Sequence, residues 1–235
     1  DLRIASEDAR FAVPAAKLGL CYGYPGVKRL MDIVGPSFTK EIFYTARLFD
    51  VMEAVEMGLV NRVVENGELE FYVKDYAATI AAIHVNTWQE AYEGLLPEAD
   101  LKAISVDKRL KFWREAIQYG DPQVHVAVDD DRIVGFVGFD RSRDPKSKPT
   151  TGEIWAIYVG PGDWDQGAGL ALWDAAREGL IDEGCTEVTL WVMLKNERAL
   201  RFFELAGFKR ELNTARTTPM GSVKVEEIRL KRKLD

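Results

Sequence analysis

The sequence predicts an α/β fold in which helices flank a mixed central sheet, preceded by a mostly helical N-terminal segment. An apolar run from Ile154 to Val159 leads through a glycine-containing turn into a helical pattern from Leu170 to about Glu183. A second apolar run, Val188 to Met193, follows at the spacing of a parallel strand pair joined by a right-handed crossover. Residues 1–82 instead show several short helical patterns and few segments with strand composition.

Composition restricts the possible classes of protein. The 235 residues are 47% hydrophobic and 29% charged, as in an ordinary globular chain of one large or two small domains. A net charge of −7 without a long basic stretch argues against nucleic-acid and membrane partners. Two distant cysteines and two histidines lack metal-ligand spacing, so we expect a reducing cytoplasm and no metal. The chain begins inside an apolar pattern without Met, so we expect further sequence upstream.

The first third of the chain contains several local start and stop signals. Pro36 suits the first turn of a helix, and Asp50 and Gly58 suit the start and the end of another. Strand composition returns at Leu59–Val64. The predicted helices cover residues 27–34, the segment from 36 onward, 51–57 and the segment from 68 onward.

The later two thirds contain a hairpin and two aromatic helical stripes. Alternating valines at 124–128 and the apolar run 133–139 predict two antiparallel strands, the second of them central like 154–159. Trp88 and Tyr92 lie on one helical stripe and Trp113 on another, and such stripes usually pack in a core. The charged segment 141–151 is predicted to be a loop, either solvated or selecting substrates at the mouth of a site.

The turn after Val159 carries the clearest chemical signal. Gly167 and Gly169 let the backbone approach a ligand closely. The first turn of the following helix presents unpaired N–H groups and the positive end of the helix dipole, which together favour an anion such as phosphate. A glycine pair alone more often only connects two elements, so the phosphate interpretation depends on the surrounding sequence.

That surrounding sequence resembles the GNAT N-acetyltransferases. The resemblance rests on residues 153–159, 166–169 and 196–208, in the order and spacing of the family. The family signature is Arg/Gln-x-x-Gly-x-Gly/Ala for the coenzyme A pyrophosphate, then a helix with Asn at its start, Phe-Tyr inside it and Gly-Phe at its end. This chain departs from it twice, because Trp164 stands at the Arg/Gln position and Phe203 at the Tyr position.

The resemblance implies a GNAT-like domain over residues 83–235 that transfers an acetyl group from acetyl-CoA to a primary amine by direct attack. The implied partner is a small-molecule or peptide amine, and a homodimer is compatible with it. The pyrophosphate is expected on the N–H groups of residues 166–170 and the pantetheine arm along residues 157–159. The residues expected to bind the cofactor are Ile157, Tyr158, Val159, Asp165, Gln166, Gly167, Ala168, Gly169, Leu170 and Asn196.

Three residues carry the expected chemistry. Glu153 lies where the family often keeps a carboxylate that accepts the amine proton, and the alternative is an edge charge that faces solvent. Asn196 is suited to cap the following helix, and in the family it also lies against the pantetheine. Phe203 has no proton to give, but a thiol of pKa ~8.5 leaves reasonably well as thiolate, so its presence slows the reaction without forbidding it.

Residues 1–82 are similar to the C-terminal part of the crotonase (enoyl-CoA hydratase/isomerase) superfamily. In that superfamily the oxyanion donors and one catalytic Glu come from sequence upstream of residue 1, and the second Glu position holds Ala15, which cannot move a proton. Two alternatives to the acetyltransferase therefore stay open, a truncated acyl-CoA enzyme and a catalytically weak CoA-binding scaffold. The segments that carry the similarity are 1–9, 11–14, 18–20, 45–47 and 54–64.

The junction of the two similarities lies in an Ala-rich stretch, residues 74–85, which suits either family. The first strand that the GNAT sheet normally has before this helix is missing in its usual form. We therefore predict that Leu59–Val64 covers the edge of that sheet, since an open edge favours aggregation. The chain is interpreted as a fusion, whether natural, designed or the result of a sequencing join.

Overall fold

The computed structural model describes residues 3–130 and 132–234 of the chain, except the side chain of Pro25. The chain divides into two compact units, Asp1–Val73 and Lys74–Asp235. The predicted boundary between residues 82 and 83 falls inside one continuous helix, Leu69–Ala91. The Ala-rich stretch, residues 74–85, thus lies within a single helix. The similarities to both families reach this helix.

The first unit contains short strands paired two by two, together with three helices in the part that the structure describes. Strand β1, Ile4–Ser6, and strand β4, Arg62–Val64, run parallel. Strands β2, Arg10–Phe11, and β3, Phe49–Asp50, run antiparallel. The helices are α1, Ala15–Leu18, α2, Tyr24–Thr45, and α3, Val51–Glu56.

Local signals account for the helices of this unit. Helix α2 is broken at Gly35, whose φ of 76° is left-handed, so its two halves correspond to the two helices predicted around Pro36. At the start of α3, the Asp50 carboxylate accepts the Glu53 N–H, and the Glu53 carboxylate accepts the Asp50 N–H. Such a reciprocal cap typically stabilises a helix by about 1 kcal/mol.

The second unit is built around a seven-stranded mixed sheet. Its strands are β5, Gln123–Asp129; β6, Arg132–Arg141; β7, Thr151–Val159; β8, Glu187–Met193; β9, Lys209–Arg210; β10, Arg216–Met220; and β11, Val223–Lys233. The order across the sheet is β10-β11-β8-β7-β6-β5, and β9 also pairs with β11. Only β7 and β8 run parallel, and every other neighbouring pair among these strands is antiparallel.

Helices cover both faces of this sheet, which confirms the predicted fold class. They are α4, Leu69–Ala91; α5, Glu98–Lys102; α6, Val106–Tyr119; α7, Ala168–Asp182; and α8, Glu197–Leu205. Helices α7 and α8 contribute to the apolar cluster on one face, and α4 and α6 to the cluster on the other. None of the helices in the described part of the chain is both long and apolar enough to cross a membrane.

Helix α7 lies close to the sheet because its inward residues are apolar or very small. Leu172, Ala176 and Leu180 recur every four residues and are buried, as predicted. A Cβ atom at Gly179 would lie 2.7 Å from the ring of Phe139, so glycine is required for this contact. This contact packs the C-terminal half of α7 closely against β6.

The prediction that Leu59–Val64 covers the edge of the large sheet is wrong. Its residues 62–64 pair with β1 inside the first unit. Val60 is buried there with Ala5, Val51 and Ala54, so the apolar side chains of the segment are already covered locally. In the described part of the chain, the outermost strand on that side of the large sheet is β5.

Candidate active site

An opening separates the two parallel strands at the centre of the large sheet. Strands β7 and β8 pair only where Thr151–Glu153 lies opposite Glu187–Thr189. Both strands continue beyond this point, to Val159 and Met193, without further pairing between them in the described residues. Their later backbone groups therefore face a gap rather than a neighbouring strand.

A bulge in β7 marks the start of this opening. Against β6, Ala156 lies opposite Gly138 while Ile154 lies opposite Phe139, so Trp155 is an extra residue. A bulge bends its strand and increases the local twist. Strand β7 thus turns away from β8 at the point where their pairing ends.

The backbone of β7 presents alternate residues to the opening. Gly160 donates its N–H to the carbonyl of Val134 over 2.8 Å, so these two residues form a hydrogen-bonded pair. Because such pairs alternate along an antiparallel ladder, Tyr158 bonds to β6, whereas Ile157 and Val159 direct their N–H and C=O groups toward the opening. Of the three residues expected along the pantetheine, Tyr158 therefore has its backbone groups engaged with β6.

The carbonyl of Val159 already has two donors. The indole N–H of Trp164 donates to it over 2.7 Å, and the hydroxyl of Thr87 donates over 3.1 Å. Trp164, which stands at the Arg/Gln position of the signature, therefore ties the turn to the end of β7. The N–H of Val159 and both backbone groups of Ile157 remain directed to the opening.

The glycine turn leads into the N-terminus of α7. Gly167 caps the helix with a left-handed φ of 92°, a conformation that favours glycine. Leu170 donates its N–H to the carbonyl of Gly167 over 3.0 Å. Among the described residues, the N–H groups of residues 166–169 have no acceptor, so four of the five N–H groups expected to bind an anion are unpaired within the protein.

An arginine from another helix lies beside position 164, where the signature has Arg or Gln and this chain has Trp. The guanidinium of Arg198 lies 3.9 Å from the centre of the Trp164 ring and 2.8 Å from the carboxylate of Asp165. Asp165 has a φ of 63° and an exposed side chain. Sequence reasoning did not single out Arg198, because the residues that it contacts lie more than thirty positions away along the chain.

Asn196 is the N-cap of α8, as predicted. Its side-chain oxygen accepts the N–H of Ala199 over 3.1 Å. Tyr92 lies near this side chain, which offsets part of the effect of burial on the pKa of Tyr92. Burial, and secondarily the neighbouring Tyr158, raises the pKa of Tyr92, so this phenol is protonated over the whole physiological range.

A cluster of aromatic side chains and one histidine covers the face of β7 that packs against α4 and α6. Trp88 donates its indole N–H to the hydroxyl of Tyr158 over 2.8 Å, and Trp113 donates to Nδ1 of His84 over 3.2 Å. Burial, with a smaller effect of Arg109, lowers the pKa of His84 to about 3. The pKa of Tyr158 is raised by burial. Both groups are therefore neutral at neutral pH, and the aromatic stripes predicted from sequence do pack in a core.

The interpretation of Glu153 as an edge charge facing solvent is wrong, because the residue is only 3% exposed. Its Oε2 accepts the backbone N–H of Arg143 over 2.8 Å, and its Oε1 accepts the Arg143 Nε–H over 3.1 Å and forms an ion pair with the same guanidinium. Asp144 is anchored in turn by Arg229 over 2.6 Å. The charged loop is thus anchored to the sheet through Arg143 and Asp144 while most of its residues stay exposed to solvent, and the role of Glu153 as proton acceptor stays a prediction.

Phe203 belongs to the core and has no polar atom to offer. It is 5% exposed, and its ring centre lies 5.1 Å from that of Phe202 and 5.4 Å from that of Phe208. In the described part of the chain, no three side chains of His, Cys, Asp or Glu are grouped as metal ligands would be.

Comparison with known families gives two matches along the chain. The acetyltransferase (GNAT) family matches residues 85–208, and the enoyl-CoA hydratase/isomerase family matches residues 1–114. The two matches overlap over residues 85–114. A curated relative, crotonyl-CoA hydratase of Syntrophomonas wolfei, is 42% identical over 80 residues, which are 34% of this chain and 31% of that protein. The chain spans about a third to about half of the length of the first curated relatives that it matches.

Solved structures match the larger unit in fold. PaiA N-acetyltransferase of Thermoplasma acidophilum, in complex with coenzyme A, is 18% identical with a TM-score of 0.53 over 68% of this chain and 94% of that chain. The structure of yncA from Salmonella typhimurium with its cofactor acetyl-CoA is 17% identical with a TM-score of 0.53 over 69% and 90%. Since the GNAT match covers more than half of the residues, the chain belongs to the GNAT acetyltransferase family.

Proposed function

We propose that this protein transfers the acetyl group of acetyl-CoA to a primary amine. The observation that carries the proposal is the opening between β7 and β8, which starts at the bulge and ends beside the glycine turn. An extended ligand that adds to the backbone of β7 reaches the N-terminus of α7 with its far end. Acetyl-CoA has this form, with an amide-containing arm and a pyrophosphate.

The backbone groups in the opening suit such a ligand. The pyrophosphate accepts the N–H groups of residues 166–169 at the positive end of α7. The two amides of the pantetheine pair with Ile157 and with the N–H of Val159, in the way that a peptide adds to a sheet edge. Membership of the GNAT family supports this assignment, as do the coenzyme A and acetyl-CoA named for two proteins of the same fold.

The proposed reaction needs no covalent enzyme intermediate. A neutral amine attacks the thioester carbon, the carbon–sulfur bond breaks, and a backbone N–H of β7 stabilises the developing oxyanion. Glu153 accepts the amine proton in this proposal. Because both of its oxygens already accept N–H groups of Arg143, taking a proton costs one of these contacts.

A second candidate function is a CoA-binding protein with weak or no transferase activity. Two observations favour it: Phe203 provides no hydroxyl, and the carboxylate of Glu153 is held by Arg143. This protein would bind coenzyme A through the same turn. It would release no thiol from acetyl-CoA with any amine.

Two measurements on the full chain separate these possibilities. Calorimetric titration with coenzyme A tests the binding site, and failure to bind overturns both functions. Thiol release from acetyl-CoA is then followed with polyamines, aminoglycosides, amino acids and peptides with free N-termini. Amine-dependent thiol release supports the transferase, whereas binding without release on the whole panel favours the scaffold.

A further inference from the structure

Three hydrogen-bond donors beside β7 have no acceptor in the part of the chain that the structure describes. They are the Nε2–H of His84, the hydroxyl proton of Tyr158 and the guanidinium of Arg109. Polar groups that are withdrawn from water are usually hydrogen-bonded, so three unused donors in one place are unusual. Their common requirement is a group that only accepts.

The proton of His84 is placed on Nε2 by the neighbouring Trp113. The indole N–H of Trp113 donates to Nδ1 of His84 over 3.2 Å, so Nδ1 carries no proton. Burial, with a smaller effect of Arg109, lowers the pKa of His84 to about 3, so the ring is neutral and its single proton lies on Nε2. His84 is only 5% exposed, and Nε2 has no partner among the described residues. It is a buried donor without an acceptor.

The hydroxyl of Tyr158 is in the same situation. It accepts the indole N–H of Trp88 over 2.8 Å, and burial raises its pKa, so it keeps its own proton. That proton meets no acceptor within the described residues. The ring centres of Tyr158 and His84 lie 4.8 Å apart, so the two side chains are in direct contact.

Arg109 of α6 adds a positive charge to these two donors. Its guanidinium lies 5.7 Å from the centre of the Trp88 ring, the same ring whose N–H bonds to Tyr158. Arg109 is partly buried, and no carboxylate of the described residues forms an ion pair with it. A cation that loses water without gaining a counter-ion costs stability, unless a ligand supplies the negative charge.

We propose that Arg109, Tyr158 and His84 bind a carboxylate of the acceptor substrate, which is therefore an amino acid or another amine that carries a carboxylate. The inference rests on the proposed acetyl transfer and names its substrate class. A carboxylate has two acceptor oxygens and a negative charge, which match one cation and two neutral donors. Tyr158 lies on β7 between Ile157 and Val159, so a ligand at its hydroxyl lies beside the strand proposed to hold the pantetheine.

The same arrangement disfavours two of the amine classes considered above. Polyamines and aminoglycosides have no carboxylate, and each would bring further positive charge toward Arg109. Access does not prevent the binding of a small carboxylate, because Trp88, Arg109 and Tyr158 are only partly buried. His84 is the buried member of the group.

Calorimetry on the full chain with coenzyme A bound tests the proposal through binding alone. The probes are the N-acetyl derivatives of glycine, leucine, glutamine and lysine, which correspond to reaction products, and the carboxamide of each, which lacks the negative charge. We expect the acids to bind roughly 10- to 100-fold more tightly than the amides, as for a charge-assisted hydrogen bond. Arg109→Met should remove most of this preference, and Arg109→Lys should keep part of it.

Lys108→Met is the matched control. It removes the same charge from the neighbouring, exposed position of α6, and it should leave the preference for acids unchanged. Acids that bind wild type no more tightly than amides overturn the proposal, as does an equal loss of preference in Arg109→Met and Lys108→Met. Coenzyme A affinity should be the same in all of these proteins, which shows that each variant is folded.

Urea denaturation separates a binding role of Arg109 from a structural one. Removal of an unpaired, partly buried cation should leave the midpoint of Arg109→Met unchanged or raise it. A lowered midpoint with an unchanged preference for acids would assign Arg109 to the fold and overturn the proposal.

Thiol release gives the corresponding result for the reaction. With amino acids as acceptors, kcat/KM should exceed that with the matching amino acid amides, and Arg109→Met should lower it roughly 10-fold or more. Thiol release only with amines that lack a carboxylate overturns this inference and leaves acetyl transfer standing. Failure of wild type to bind coenzyme A overturns the proposed function itself.

Discussion

Trp164 donates its indole N–H to the carbonyl oxygen of Val159 over 2.7 Å, and this bond joins the glycine turn to the strand before it. The hydroxyl of Thr87 donates to the same oxygen over 3.1 Å. A carbonyl with two donors tolerates the loss of one. The loss of both leaves a partly buried acceptor without a protein donor, which costs up to about 1–3 kcal/mol.

A double-mutant cycle on Trp164 and Thr87 checks this shared acceptor. Trp164→Phe and Thr87→Val should each lower the free energy of unfolding by about 1 kcal/mol in urea denaturation. The double variant should lose more than the sum of the two, by about 1 kcal/mol, since only there does the carbonyl lose every donor. Additive losses would contradict a shared role.

Gly169 is predicted to admit a phosphate to the backbone of α7. A Cβ at this position meets the ring of Phe202 at 3.4 Å and the side chain of Val159 at 3.9 Å, which are ordinary contact distances, so Gly169→Ala should fold and bind. Gly169→Val places two further methyl groups on the first turn and should weaken coenzyme A binding roughly 100-fold, or about 3 kcal/mol, in calorimetry. Valine and alanine variants of equal affinity would exclude this turn as the site.

The ion pair of Arg143 and Glu153 is predicted to stabilise the fold. Arg143→Met leaves a buried carboxylate without its cation, and we expect a loss of about 1–3 kcal/mol of unfolding free energy, less than for a fully buried pair because the Arg143 side chain is 53% exposed. Arg143→Met with Glu153→Met should be less destabilised than Arg143→Met alone. The control is Arg210→Met, whose partner Glu204 is exposed; a loss as small as in this control would refute the prediction.

His84 is predicted to make stability depend on pH. Its pKa is about 3 in the fold against 6.5 for an unperturbed histidine, so the unfolded chain takes up a proton first as pH falls. The contribution is complete above pH 6.5 and is lost progressively between pH 6.5 and about 3, with about 2 kcal/mol gone by about pH 5.

The variant His84→Gln keeps an acceptor for the indole N–H of Trp113 but has no titrating group. Between neutral pH and about pH 5, its unfolding free energy in urea should fall by about 2 kcal/mol less than that of wild type. The pKa of His125 is also lowered, but His125 is present in both proteins and cancels in the comparison. An equal pH dependence in the two proteins would show that His84 does not titrate in this way.

The crotonase-like segment is predicted not to hydrate crotonyl-CoA. Ala15 is a buried methyl side chain at the start of α1, at the position where the resemblance expects a catalytic carboxylate. Absorbance assays with crotonyl-CoA should match the buffer blank. Hydration that disappears on substitution within residues 1–82 would show that another group supplies the acid.

Local patterns were enough to predict the secondary structure around the site. The continuous apolar run of β7, the period of four in α7, the left-handed glycine at 167 and the Asn196 cap are all local features of the sequence. Such interactions can be enumerated from the sequence. The family signature is itself a string of these local features, which is why the resemblance held despite Trp164 and Phe203.

The partners of polar and unpaired groups were decided only by the tertiary structure. Strand composition at Leu59–Val64 does not say which strand it pairs with, and the nearby β1 was the partner. In the sequence, Glu153 could not be distinguished from an exposed charge at the end of a strand. In the structure, the loop that carries Arg143 covers it. By itself the sequence determined which segments are strands and helices and where a glycine turn leads into the N-terminus of a helix. Only the fold decided which donor meets which acceptor, because those energies depend on groups far apart in the chain and close in space.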